Sequence, residues 1–437
     1  MPHPRWRTPL LGLACIVAIT SIGFTVFARI IPQRIQREPS ITTPLGTTKK
    51  TSVDVTLSPS NAQIKNISTE RFPWTDGNCT GTGPVTFTAP PMHPKDIGTI
   101  LPMGLVVDAH VTPIDHQYYS PIVFNSAPDR YDVMAPADGT IVAIQHRSTF
   151  IGDNIPKGKE HPDEYRVYVE YSCTFWSYYD LITKLAPDIQ KVWEAGPNKD
   201  RGGLVRIPVT AGQVIGKIGG QTLDVGVINS EITLPGFTTP ALYEREPWKI
   251  HTVDPFAYFT APLRTELLKK NPRTAEPRGG KIDYDISGKL IGNWFEKGTN
   301  GYMGEDPKRS WAGHIAFLPD YIDPSQVRIS LGTFDGRSQQ FAPKGNGPDP
   351  ATVGSKTGMV AYELQKYLYV HKQTGQPWNR GTVTETQDEI TTKNMDTVYG
   401  TVVVQVIDPH TLKMEAFVGK TANDVSGFTK NALLYER

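Results

Sequence analysis

Hydrophobic and polar positions along the chain form short, frequently interrupted runs, which predicts a protein built mainly from β-strands. Apolar stretches rich in Val, Ile, Tyr and Thr recur between residues 83 and 263 and again after residue 281. These residue types are enriched in strands, and the breaks between the runs contain turn-forming residues. The pattern predicts an all-β, mainly antiparallel protein whose C-terminal part is a second β-barrel or sandwich.

The N-terminus departs from this pattern. Residues 9–28, "PLLGLACIVAITSIGFTVFA", carry no charge. A helix of about 20 such residues spans about 30 Å of hydrocarbon. The segment therefore predicts a membrane anchor or a signal peptide cleaved after Ala28, and either one places the rest of the chain outside the cytoplasm.

A domain plan follows from these patterns and from a breaker-rich segment at 267–281, "LLKKNPRTAEPRGGK". Residues 1–28 are the anchor or signal, and the Ser/Thr/Pro-rich residues 29–80 form a stalk. Residues 81–265 form a first β domain, and residues 282–437 form the C-terminal barrel or sandwich.

Two local patterns predict particular elements. The stretch 131–145, "YDVMAPADGTIVAIQ", predicts two strands joined by a tight turn at Asp138 and Gly139. The stretch 177–196, "SYYDLITKLAPDIQKVWEAG", predicts a helix that ends at Gly196. If the helix starts near Leu181, Asp180 is its N-terminal cap; the alternative gives Asp180 a chemical role.

The net charge argues against one class of partner, and the cysteines predict a disulfide. The formal net charge is +1 and charged residues make up 20%, so the sequence predicts no nucleic-acid partner. One cysteine, Cys15, lies in the apolar N-terminal segment, which leaves Cys79 and Cys173. In an exported protein this pair predicts a disulfide.

Four sequence motifs resemble those of a known protein family and occur in the same order along the chain. They are "DVMAPADGTIVAI", "YVEYSCTFWSYYDL", "VTAGQVIGKIGGQ", and "TLDVGV" followed by "HTVDPFAYF". Residues 110–260 thereby resemble the M23 peptidases, the LytM and lysostaphin type of zinc endopeptidases that cut peptidoglycan cross-links. The resemblance implies the duplicated hybrid motif fold and a zinc site.

The histidines that this family uses are replaced here. The family's "Y-x-H-L" histidine is matched by Asp180, and the two histidines of its H-x-H motif are matched by Thr222 and Asp224. Proton transfer requires a suitable group in reach of the substrate. The resemblance therefore implies a degenerate site without catalytic residues, which binds a cell-wall component without cutting it.

The first metal-ligand motif, H-x-x-x-D, is also irregular. If His116 is the ligand, the aspartate position is Ser120; if His110 is the ligand, Asp115 comes one residue late. No cofactor is expected from this pattern. An altered zinc triad of Asp115, Asp224 and either His116 or His110 remains the alternative, with Asp180 as base.

Three functions of different classes remain open at this stage. The expected one is a degenerate domain that binds cell-wall peptide or glycan; Phe175, Trp176, Tyr178 and Tyr179 could line its groove, although core packing is the alternative use. The others are an active zinc metalloendopeptidase and an assembly module that docks an envelope protein. In the C-terminal domain, Gly292-Asn293-Trp294 resembles the first strand of lipocalin-like barrels.

Overall fold

The computed structural model describes residues 72–148, 163–196, 203–305, 309–379 and 389–437. The predicted anchor at residues 1–28 and most of the predicted stalk lie outside these ranges. Within the described ranges, no helix is both long enough and apolar enough to cross a membrane.

The first domain is built on a seven-stranded antiparallel sheet. Across the sheet its strands are β1 (Ile97–Leu101), β2 (Gln117–Pro121), β10 (Leu223–Asn229), β6 (Phe175–Ile182), β5 (Asp163–Ser172), β4 (Gly139–Ser148) and β8 (Gly203–Val209). A smaller sheet contains β3 (Tyr131–Met134), β9 (Val214–Ile218) and β7 (Lys184–Leu185). One core cluster joins the two sheets, with Ile141, Val167 and Tyr179 from the large sheet and Val133 and Ile215 from the small one.

Two helices flank these sheets, α1 (Pro187–Ala195) and α2 (Ala261–Leu268). The helix predicted over residues 177–196 is wrong in its first half, because that half forms β6 and β7. Strand β6 is paired on both sides and buried along most of its length, and such a strand gives a continuous apolar run that resembles a helix segment. The helix starts only at Pro187, a residue tolerated in the first helical turn.

The hairpin predicted around Asp138 and Gly139 is also wrong, because its two strands belong to different sheets. Strand β3 pairs with β9, whereas β4 pairs with β5 and β8. The residues between β3 and β4 cross from one sheet to the other. Asp138 anchors this crossing by accepting a hydrogen bond from the backbone N–H of Ala211 at 2.8 Å.

The C-terminal domain is a closed antiparallel barrel, which confirms the all-β class and decides between barrel and sandwich. Its strands are β11 (Gly292–Glu296), β12 (His314–Pro319), β13 (Val327–Phe334), β14 (Arg337–Pro343), β15 (Val360–His371), β16 (Ile390–Asp408), β17 (Thr411–Val418) and β18 (Leu433–Glu436). Each strand pairs with the next and the last with the first, as in the up-and-down barrels of lipocalins.

Side chains fill the barrel interior. Trp294 of the Gly292-Asn293-Trp294 motif is fully buried, among residues such as Phe317 and Tyr362. The Arg437 guanidinium lies 4.0 Å from the centre of the Trp294 ring and donates a hydrogen bond to the Ile291 carbonyl at 2.5 Å. This end of the barrel is thereby closed by a stacked, hydrogen-bonded cation.

The two domains share an apolar junction. Leu101 and Tyr118 of the first domain pack with Tyr321, Tyr369 and Trp378 of the barrel. Arg273, in the connecting segment, is buried and donates a hydrogen bond to the Tyr321 carbonyl at 2.9 Å. The barrel therefore covers the part of the first sheet from which Tyr118 projects.

The predicted disulfide is confirmed. Cys79 is bonded to Cys173, which lies between β5 and β6 and is 94 residues away in the sequence. The bond ties the segment before β1 to the large sheet.

Candidate functional site

Neighbouring strands of the large sheet bring the predicted site residues together. Asp115 and His116 directly precede β2, Asp180 lies on β6, and Asp224 lies on β10 between those strands. Asp224 is directly opposite Asp180 on one side and opposite Tyr118 of β2 on the other. Thr222, just before β10, donates its hydroxyl to Asp224 at 2.9 Å.

His116 lies between two carboxylates. Its Nδ1 is 3.0 Å from Asp115 Oδ1, and its Nε2 is 3.4 Å from Asp224 Oδ2. Burial by itself would lower the pKa of His116, but the hydrogen bonds to Asp115 and Asp224 raise it to about 9. The imidazole is therefore protonated at neutral pH, and both ring nitrogens serve as donors.

Tyr178 adds a further polar contact to His116 and Asp115. Its hydroxyl is 3.0 Å from His116 Nδ1 and 3.2 Å from Asp115 Oδ1. The ring reaches them by lying across Gly226 of β10, where a Cβ atom would come within 2.2 Å of the Tyr178 ring. Gly226 thus provides the space that lets Tyr178 reach across the neighbouring strand.

Asp180 is held by a buried cation. Arg166 on β5 donates to Asp180 Oδ2 from Nε at 2.8 Å and from a terminal nitrogen, and both side chains are buried. The other oxygen, Oδ1, accepts from the backbone N–H of Leu181 at 2.9 Å, where the backbone has a φ of 65°. Burial opposes the charge of Arg166, but the Asp180 carboxylate raises the Arg166 pKa well above its usual value.

A third basic group, Lys249, comes from the segment after β10. Its Nζ donates to the Pro113 carbonyl at 2.9 Å and lies 4.9 Å from the ring centre of Tyr302, a barrel residue. Burial would raise the pKa of Asp115, but Lys249, His116 and Arg166 hold it well below its usual range. Three carboxyl groups are therefore matched by three basic groups in one buried cluster.

His110 lies at the margin of this cluster, on a turn in which Val107 and His110 exchange backbone hydrogen bonds. Burial, followed by the charges of His116 and Lys249, lowers the pKa of His110 to about 3. This histidine is therefore neutral at physiological pH.

The charge cluster, defined as Asp115, His116, Arg166, Asp180, Asp224 and Lys249, is closed to solvent, since every member is no more than 9% exposed. An aromatic cluster packs beside it and includes Phe72, Trp74, Tyr168 and Trp176. The run from Phe175 to Tyr179 is accordingly core, with each aromatic ring buried, and it presents no open groove for a sugar.

These residues do not fit a zinc ion. A catalytic zinc needs three protein ligands around one point and an open fourth position. Asp115 and Asp224 lie against opposite edges of the His116 ring, so the three side chains do not converge, and Asp180 is already neutralised by Arg166. Across the described parts of the chain, no group of three His, Cys, Asp or Glu side chains is arranged to hold a metal ion.

The sequence did not indicate Arg166 or Lys249 as members of the charge cluster, and it indicated Tyr178 only as an aromatic groove or core residue. Arg166 lies in β5 and Tyr178 in β6. An arginine in an otherwise apolar, aromatic strand signals a buried carboxylate partner, because an unpaired buried charge is too costly. Lys249 gave no such signal, since it begins a short 3₁₀ helix, Lys249–His251, and lies outside the strands.

No family model and no curated protein matches the chain. One solved structure that it resembles is Csd3 of Helicobacter pylori, with 15% identity and a TM-score of 0.22, covering 43% of this chain and 40% of Csd3. Another is lysostaphin, with 12% identity and a TM-score of 0.18, covering 55% of this chain and 87% of lysostaphin. Likeness at these scores carries no argument, and the chain spans less than half of Csd3.

Proposed function

We propose that this chain is an exported envelope protein whose first domain has a peptidase-like scaffold and binds a cell-wall component without cutting it. The observation that carries the proposal is the closed charge cluster. Every carboxyl group in the cluster has a basic or hydroxyl partner, and none faces an open cleft. Hydrolysis requires a base or a bound metal in contact with substrate.

Two further observations support export. The Cys79–Cys173 disulfide is typical of proteins outside the cytoplasm. The uncharged residues 9–28 predict an anchor or signal that would place the domains there. The cell-wall ligand itself is proposed from the motifs that resemble M23 peptidases.

The test combines metal analysis with cell-wall binding. We expect the full chain, purified without chelator and without a histidine tag, to contain no stoichiometric zinc and to release no soluble peptide from isolated peptidoglycan. We expect it to sediment with insoluble peptidoglycan. One zinc per chain together with peptide release would contradict the proposal and favour an active metalloendopeptidase.

One observation favours a second candidate, docking of another envelope protein. Ile122, Val123 and Phe124 are consecutive, and each exposes between 38% and 42% of its surface. Contiguous exposed apolar residues often mark protein contacts. Serine substitution of all three would abolish co-purification of such a partner and leave sedimentation with peptidoglycan unchanged.

A further inference from the structure

A cleft of about 500 Å³ lies away from the charge cluster, between β7 and α1. Tyr165 and Leu185 form its apolar part, and the loop residue Asp129 borders it. Pro187, Gln190, Lys191 and Glu194 of α1 line the other side; their spacing of three and four residues places them on one face of the helix. Its volume falls in the range of small-molecule sites, about 300–1,000 Å³.

Four charged side chains line this cleft, and none of them forms an ion pair within the described part of the chain. The two cations are Lys184 and Lys191, and the two anions are Asp129 and Glu194. Asp129 accepts a hydrogen bond from Thr183 at 2.8 Å, and Glu194 accepts one from Gln190 at 2.6 Å. Both carboxylates are thus oriented by neutral partners and have no cationic partner within the described residues.

The position of Lys184 makes an added anion favourable. Lys184 is directly opposite Lys217 in the pairing of β7 with β9, and Lys217 is paired with Asp132 at 2.5 Å. Asp132 therefore compensates Lys217, whereas Lys184 has no carboxylate partner among the described residues. A carboxylate placed beside Lys184 would gain a charge-assisted hydrogen bond.

We infer that this cleft binds a small zwitterion, a molecule with one ammonium and one carboxylate group, such as a free amino acid or an unblocked dipeptide. The carboxylate would contact Lys184 and Lys191, and the ammonium would contact Asp129 and Glu194. Two cations and two anions line a single cleft without pairing, and a ligand carrying both charges satisfies all four. This site is separate from the charge cluster and does not depend on the proposed function.

The probe is alanyl-alanine, titrated calorimetrically into the full chain beside its N-acetyl and C-amide forms. We expect the unblocked dipeptide to bind, and each blocked form to bind at least about tenfold more weakly, because each block removes one charge-assisted contact. Equal binding of all three forms, or no binding of any, would overturn the inference.

Four single variants test which side chains contact the carboxylate of the ligand and which contact its ammonium group. We expect Lys184→Met and Lys191→Met to weaken binding of the dipeptide and to reduce the loss of affinity that C-amidation causes. Asp129→Asn and Glu194→Gln should instead reduce the penalty of N-acetylation, and Asn tolerates the φ of 59° at position 129. Lys269→Met, an exposed lysine after α2, is the matched control and should bind as the wild type does. Unchanged dipeptide binding in all four cleft variants would contradict the proposed contacts.

Discussion

His116 is the residue around which the buried charges are arranged. It holds Asp115 at one ring nitrogen and Asp224 at the other, and the hydroxyl of Tyr178 reaches the same edge as Asp115. A protonated imidazole is a fixed cation with two donors, so it links β10 to the segment before β2. The positive charge that joins these two elements is thus provided by a protein side chain.

The Arg166–Asp180 pair allows a prediction at the residue scale. Arg166→Met should lower the free energy of unfolding by about 3–5 kcal/mol, because it leaves a buried carboxylate unpaired. The double variant Arg166→Met/Asp180→Leu should be more stable than Arg166→Met alone, since both charges are then removed. Urea unfolding of the wild type, both single variants and the double variant measures the coupling.

Lys372 is the control for this cycle, because its pair with Glu389 is exposed on both sides. Lys372→Met should lower the free energy of unfolding far less than Arg166→Met does. Additive effects of Arg166 and Asp180 would show that the pair is not coupled and would contradict the buried-pair interpretation.

Strand β10 depends on Gly226 to accommodate the ring of Tyr178. In Gly226→Ala the new Cβ would lie 2.2 Å from that ring, so the ring must move and its contacts with His116 and Asp115 are lost. We expect a loss of about 1–3 kcal/mol, the usual cost of overpacking. Thermal unfolding of Gly226→Ala, of Tyr178→Ala and of the double variant tests this. Tyr178→Ala should lower stability less in the Gly226→Ala background than it does in the wild type.

The disulfide connects the segment before β1 with the turn between β5 and β6. Cross-linking residues 94 positions apart restricts the unfolded chain, so Cys79→Ser/Cys173→Ser should lower stability by about 2–5 kcal/mol. A reductant should lower the unfolding temperature of the wild type and leave that of the double variant unchanged. A reductant effect on the double variant would point to another cause.

Elements with distinct local signals were predictable from the sequence, and those set by distant pairing were not. The strands of the barrel were visible in the apolar spacing, and the Gly292-Asn293-Trp294 motif resembles the first strand of lipocalin-like barrels. Residues 131–145 do form two strands, but their partners lie far along the chain in different sheets, so the pattern alone suggested a hairpin. Asp180 was recognised as a candidate, but its partner Arg166 was not, because strand pairing brings them together.

At the scale of the whole molecule, the barrel and the first domain share buried ionisable groups. Glu246 and Lys249 of the first domain lie against Tyr302 of the barrel, and His314 of β12 stacks on the same Tyr302 ring at 5.4 Å. Burial, followed by the charge of Asp115, raises the pKa of Glu246 to about 8. Burial lowers the pKa of His314 to about 3. Docking of the domains therefore depends on which of these groups carry a proton.

The stability of the molecule should consequently pass through a maximum with pH. His110 and His314 have folded pKa values of about 3 against an ordinary 6.5, so the unfolded chain binds more protons and stability rises through this window. Folding raises the pKa of His116 from 6.5 to about 9 and the pKa of Glu246 from 4.5 to about 8. The folded chain therefore binds more protons than the unfolded chain in these two pH windows, and stability falls as the pH rises through them. The opposing slopes place the highest unfolding temperature at about pH 6.5, with a decline toward pH 8; above pH 8 the opposite slope of Lys366, whose pKa burial lowers to about 8, offsets that of His116.

Calorimetric melting from pH 4 to pH 9 measures this profile, and Glu246→Gln separates its contributions. Because glutamine cannot ionise, the unfolding temperature of the variant should decline less steeply between pH 6.5 and 8 than that of the wild type. The decline that remains between pH 6.5 and 8 then belongs to His116. An unfolding temperature that stays constant above pH 6.5 would show that neither group keeps its proton in the folded state, and that the charge cluster is not held by an imidazolium.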